Sequence, residues 1–112
     1  MSNRPVQLLL EDIHDAIKKI ESYVLSMNKD DFIKDNKTVD AVVRNLQIIG
    51  EAANRLPEEF RAHYSEIPWR NIIGLRNRIV HDYIGVDVEI IWQIVEKEIP
   101  RLRKQLEDIR IS

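Results

Sequence analysis

The chain has 112 residues, 44% of them hydrophobic and 32% charged, which suits one modest globular core that a second copy would help to stabilise. It has no cysteine, which excludes a disulfide framework and a thiolate metal site, and its formal charge of -2 excludes the broad basic field of most non-specific nucleic-acid binders. The opening MSNRPVQLLLEDIHD holds only a short leucine run before its acidic residues, so neither a signal peptide nor a membrane span is expected, and a soluble cytoplasmic chain is.

Pro5 suits a first helical turn, and Val6, Leu9, Leu10, Ile13, Ala16, Ile17, Ile20 and Val24 then recur at steps of three and four, predicting a long amphipathic helix. The acidic piece KDDFIKDN reads as a short helix or turn anchored by Phe32 and Ile33, with Thr38 as the N-cap of the next element. A second long helix is predicted over about residues 39–55, with Val39, Val42, Val43, Leu46, Ile49, Ala53 and Leu56 on one face. The thinner stripe opposite, Ala41, Asn45, Ile48 and Ala52, suits close approach by a partner or by another helix of this chain.

Pro57 ends that helix and starts a short one in PEEFRAHY. Pro68 opens another, carrying Trp69, Ile72, Ile73, Leu75, Ile79 and Val80 and ending at Gly85. Asp87 then caps a final helix with Val88, Ile91, Trp92, Val95, Ile99, Leu102, Leu106 and Ile109, in which Pro100 predicts a kink or break. No segment reads as a strand. The expected fold is all-α, an up-and-down bundle of four or five helices forming one domain over residues 1–112.

The stretch GLRNRIVHDYIGVD carries more polar chemistry than a packing helix needs. With Arg76 at zero on a helical wheel, Leu75, Ile79, Ile72, Val80 and Ile73 fall at roughly -100°, -60°, -40°, +40° and +60°, which sets Arg76 inside the apolar arc with Tyr83 near it. A guanidinium there is costly unless paired, with Glu51 or another acid as its partner, or unless it serves a site. Asn77 and His81 are four apart and flank the same arc, while Arg78 points toward solvent.

A lone histidine in such a helix is ordinarily structural. Arg76, Asn77, His81 and Tyr83 together are the inventory for holding a phosphate and moving a proton beside it. His14 and His63 have no such company, Trp69 and Trp92 read as core anchors, and Asp82 and Asp87 as a polar helix-end residue and an N-cap. The acids are dispersed and no histidine pair has ligand spacing, so no metal site is expected.

With Arg76, His81 and Tyr83 at this spacing, RNRIVHDY resembles the signature of HEPN-superfamily ribonucleases, specifically the HepT-like toxins. VVRNLQIIGEAANRLP, IPWRNIIGLRNRIVHDY and GVDVEIIWQIVEKEIPRLRKQL extend the similarity to nearly the whole chain. The resemblance implies a HEPN-like helical bundle that forms a homodimer, with the motif helices meeting in a composite cleft near the interface. It also implies metal-independent RNA cleavage that is toxic to the cell and needs no cofactor. Control would come from a MntA-like nucleotidyltransferase antitoxin that transfers adenylate from ATP to Tyr83. Arg76 would hold the scissile phosphate, Asn77 would orient the phosphate or the histidine, and His81 would transfer protons. The rival reading is a non-catalytic helical subunit that binds a nucleotide or presents substrate to a nucleotidyltransferase, which uses Arg76 but asks no proton transfer of His81. A purely structural dimer module is a third.

Overall fold

The computed structural model describes residues 4–81 and 85–109, with the backbone alone at His81. Helix α1 (Val6–Tyr23) forms where the spacing of apolar residues predicts it and buries Leu9, Ile13, Ala16, Ile17 and Ile20. Asn28 opens α2 (Lys29–Lys34) with a reciprocal capping box: its side chain accepts from the Asp31 N–H at 2.8 Å, and its own N–H donates to the Asp31 carboxylate at 3.3 Å. Phe32 of α2 is fully buried.

Helix α3 (Asn36–Arg55) starts earlier than the periodicity indicates, because Asp35 rather than Thr38 caps it. The Asp35 carboxylate accepts from the Thr38 N–H at 3.1 Å and from the Thr38 hydroxyl at 2.8 Å. Leu9 and Asp12, early in α1, share a cleft with Ile48, Glu51, Ala52 and Arg55, late in α3, so the two helices run antiparallel. In the stripe of Ala41, Asn45, Ile48 and Ala52, at least Ile48 and Ala52 therefore face a helix of the same chain. Asn45 is buried within it, its amide donating to the Ala41 carbonyl at 2.9 Å.

After α4 (Glu58–His63), the long helix expected from Pro68 to Gly85 is replaced by two short ones, α5 (Trp69–Ile73) and α6 (Leu75–Ile79), joined at Gly74. Val80 then turns extended, and the antiparallel ladder of β1 (Val80–His81) and β2 (Gly85–Val86) sets Val80 opposite Val86 and His81 opposite Gly85. The expectation of no strand is thereby corrected. The Ile79 carbonyl, which a further helical turn would use, instead accepts from the Asp87 N–H at 2.7 Å at the end of this ladder. Gly85 does not end a helix. It holds φ at 133°, a conformation that side-chain-bearing residues avoid.

The last rod is continuous. It comprises α7 (Val88–Gln93), a π-helical turn (Ile94–Glu98) and α8 (Ile99–Glu107). Asp87 caps it, accepting from the N–H groups of Glu89 and Ile90 at 3.1 and 3.2 Å. Pro100 does not break it, because the turn widens: the Ile99 N–H donates to the Ile94 carbonyl, five residues back, absorbing the ring that lacks a donor.

These elements enclose one core in which Ile17, Ile20, Phe32, Leu46, Ile49, Ile79, Ile91 and Ile94 are almost fully buried. Trp92 tilts against Phe32 with ring centroids 5.3 Å apart, and Trp69 is buried with its indole N–H on the Tyr64 carbonyl at 3.1 Å, so both act as anchors. Arg103 ties α8 to Glu21 of α1 at 2.9 Å. Among the described residues no helix is long and apolar enough to cross a membrane.

Candidate active site

Gly50 sets the geometry of the site. A Cβ there would stand 3.0 Å from the Ile72 carbonyl oxygen, so the glycine is what lets α5 lie directly on α3. Beside this contact opens a cleft of about 380 Å³ lined by Gln47, Gly50, Glu51, Asn54, Ile73 and Arg76.

Arg76 is exposed in this cleft and does not enter the core, contrary to the helical-wheel expectation. The wheel assumed one unbroken helix. With the break at Gly74 and the exit at Val80, only Leu75 and Ile79 define the buried face of α6; Arg76 lies about 80° from its centre and Asn77 nearly opposite. Asn77 is likewise exposed, next to Arg76. Among the described residues no carboxylate pairs with Arg76, and Glu51 contacts Arg55 instead, at 3.4 Å.

Arg78 was expected to face solvent, yet it is half-buried and bound at both ends. Its guanidinium donates to the two carboxylate oxygens of Glu98 at 2.9 and 2.6 Å, and that hydrogen bonding raises its pKa further. It is therefore committed to joining α6 to the last rod.

His81 belongs to β1, so the side-by-side placement with Asn77 that a helix would impose does not hold. Its extended backbone follows directly on the helix end that carries Arg76 and Asn77. Asp82 and Tyr83 lie outside the described residues. His14 lines a separate cleft with Leu10 and Leu106, and the His63 ring meets Tyr64 edge-on at 4.7 Å; neither reaches the Arg76 cleft.

The structure adds residues that the sequence reading passed over. Gln47 and Asn54 share the cleft with Arg76, as does Glu51, which the sequence suggested only as an ion-pair partner. Their spacing of four and three marks one stripe of α3, but by itself that pattern is indistinguishable from an ordinary solvated face. The telling residue was Gly50 in the midst of the stripe.

The sequence model of the family described as Ribonuclease HepT-like matches residues 13–109. The chain belongs to the HepT-like ribonuclease family. Its helical frame agrees with the all-α HEPN fold of that family. This HepT-like chain is 43% identical over 101 residues to "Probable ribonuclease HepT" of Thermococcus cleftensis, covering 90% of this chain and 92% of that one. It is 40% identical over 109 residues to a "Putative RNase" of Methanocaldococcus jannaschii, covering 97% and 90%. A protein of Caldanaerobacter subterraneus with the same style of name is 43% identical over 100 residues, covering 89% of each. No solved structure matches the HepT-like chain.

Proposed function

We propose that this HepT-like chain is a metal-independent endoribonuclease toxin that acts as a homodimer with a composite site at its interface. In this reading it is neutralised when a MntA-like nucleotidyltransferase antitoxin transfers adenylate from ATP to Tyr83. The observation that carries the reading is the contrast between two neighbouring arginines. Arg78 is tied to Glu98, whereas Arg76 stands exposed in a cleft with no carboxylate partner among the described residues, beside Asn77 and just before His81 in the chain. Membership of a ribonuclease family and the ribonuclease names of the relatives support the same activity.

The ribose 2'-oxygen attacks the adjacent phosphorus, forming a P–O2' bond as the P–O5' bond breaks. A base takes the 2'-hydroxyl proton and an acid protonates the leaving 5'-oxygen, giving a 2',3'-cyclic phosphate and a 5'-hydroxyl. An imidazole, with an ordinary pKa of about 6.5, serves either role near neutral pH. His81 is the motif's one histidine, so two copies of the chain divide the base and acid duties. The planar fork of Arg76 holds the phosphate oxygens, and Asn77 orients them. An adenylate on Tyr83 adds negative charge and bulk to the motif, which would oppose binding of a substrate phosphate.

Expression of wild type, Arg76→Ala and His81→Ala without a partner tests this. Wild type arrests growth and degrades RNA to cyclic-phosphate ends, in the presence of EDTA as in its absence, and both variants do neither. Tyr83→Phe still cleaves but escapes adenylylation. Intact RNA and equal growth in all strains would instead favour the non-catalytic subunit.

A further inference from the structure

We infer that the α3 wall of the Arg76 cleft is a base-reading subsite, in which Gln47, Glu51 and Asn54 bind the nucleobase next to the phosphate held by Arg76, and Glu51 selects a base with an exocyclic amino group. The inference rests on the ribonuclease reading above.

At about 100° per residue, Gln47, Glu51 and Asn54 fall within an arc of roughly 60° on α3. All three are exposed and share one cleft with Arg76. None has a structural task that would hold it away from a ligand. Gln47 and Asn54 make no side-chain hydrogen bond with another described residue. The contact of Glu51 with Arg55 is long, 3.4 Å, and its side chain is 71% exposed, so solvent screens it heavily.

The shape suits a flat ring. Gly50 contributes no side chain to the floor, and Ile73 offers an apolar surface beside it. The volume, about 380 Å³, is in the range of small-molecule sites and larger than a phosphate requires.

The chemistry separates a base subsite from a pure anion site. A pocket made only for phosphate gathers donors, and a carboxylate inside it would repel the ligand. Glu51 fits if its ligand brings N–H groups. Carboxamides donate and accept, matching the mixed edges of bases, whereas a carboxylate only accepts. Adenine, cytosine and guanine carry an exocyclic amino group to satisfy it. Uracil flanks its single N–H with two carbonyl oxygens that would face the carboxylate lone pairs. Bases splayed from single-stranded RNA expose these edges for such contacts.

The test uses oligonucleotides that differ only in the base beside the scissile bond, with wild type, Gln47→Ala, Asn54→Ala and Glu51→Gln. Wild type cleaves the adenine, cytosine or guanine substrates about tenfold better in kcat/KM than the uracil substrate, within the range for one well-placed polar base contact. Glu51→Gln compresses that ratio toward one by improving the uracil substrate, and the two alanine variants weaken all base discrimination. Ratios unchanged in all three variants would overturn the subsite while leaving the ribonuclease reading intact. Failure of wild type to cleave any substrate would defeat the ribonuclease reading. Fluorescence anisotropy of the same oligonucleotides would then decide the subsite, since identical base preference in wild type and Glu51→Gln refutes it.

Discussion

Arg76 and Arg78 differ in what lies within reach of each guanidinium. Arg78 meets the two oxygens of Glu98, and Arg76 meets none among the described residues. Arg76→Met should therefore shift the urea unfolding free energy by no more than about 0.5 kcal/mol, as for other exposed substitutions, while cleavage falls at least a hundredfold. Arg78→Met should be destabilising, by about 1 kcal/mol at most because the pair is roughly one-third exposed on each side. Urea titrations of the two variants separate these roles, and equal destabilisation would contradict the division. The sequence singled out Arg76 and Asn77 but not the place of Arg76, which lies in the cleft and not in the core. Its wheel position depends on where the helix breaks, and Gly74 does not announce a break by itself.

The elements readable from sequence are those whose cause is local. The apolar spacing of α1 and α3 and the Asp87 cap depend on residues within a few positions of one another. The ladder's bond from the Asp87 N–H to the Ile79 carbonyl has no signature in the linear pattern, and Pro100 signalled a disturbance of the last helix but not that a π turn would absorb it. The α3–α5 contact gives a direct test. Gly50→Ala forces a methyl group to 3.0 Å from the Ile72 carbonyl oxygen, and the backbone there yields only by moving the two helices apart. A loss of about 1–3 kcal/mol in urea unfolding is expected, together with reduced cleavage as Arg76 shifts against α3.

The cap of α3 gives a prediction in pH. Hydrogen bonds from the Thr38 hydroxyl and N–H hold the Asp35 carboxyl below its ordinary pKa. A depressed folded-state pKa adds stability above the unfolded value, and that contribution is lost as pH falls through the ordinary carboxylate range toward the folded value. Asp35→Asn should thus be less stable than wild type near neutral pH, with the difference narrowing below about pH 4. Denaturant midpoints measured across pH 3 to 7 check the convergence.

At the scale of the whole molecule, the rod of α7, the π turn and α8 closes the core and leaves the cleft on the opposite side of α5 and α6. The cleft's cation comes from α6 and its amides from α3, whereas the motif histidine stands on the ladder beyond the helix end. The ladder's facing valines, Val80 and Val86, are 45% and 37% exposed, leaving apolar surface next to that histidine. In the proposed dimer, proton removal and proton donation fall to His81 of different copies, so the two active-site halves cannot be inactivated independently. A dimer linked in tandem with one wild-type half and one His81→Ala half should therefore retain far less than half of wild-type cleavage. If the halves worked alone, the same molecule would keep half. Measuring kcat for the linked dimer at saturating RNA distinguishes the two outcomes, and a value of one-half would remove the shared-histidine mechanism while leaving the proposed role of Arg76 in phosphate binding untouched.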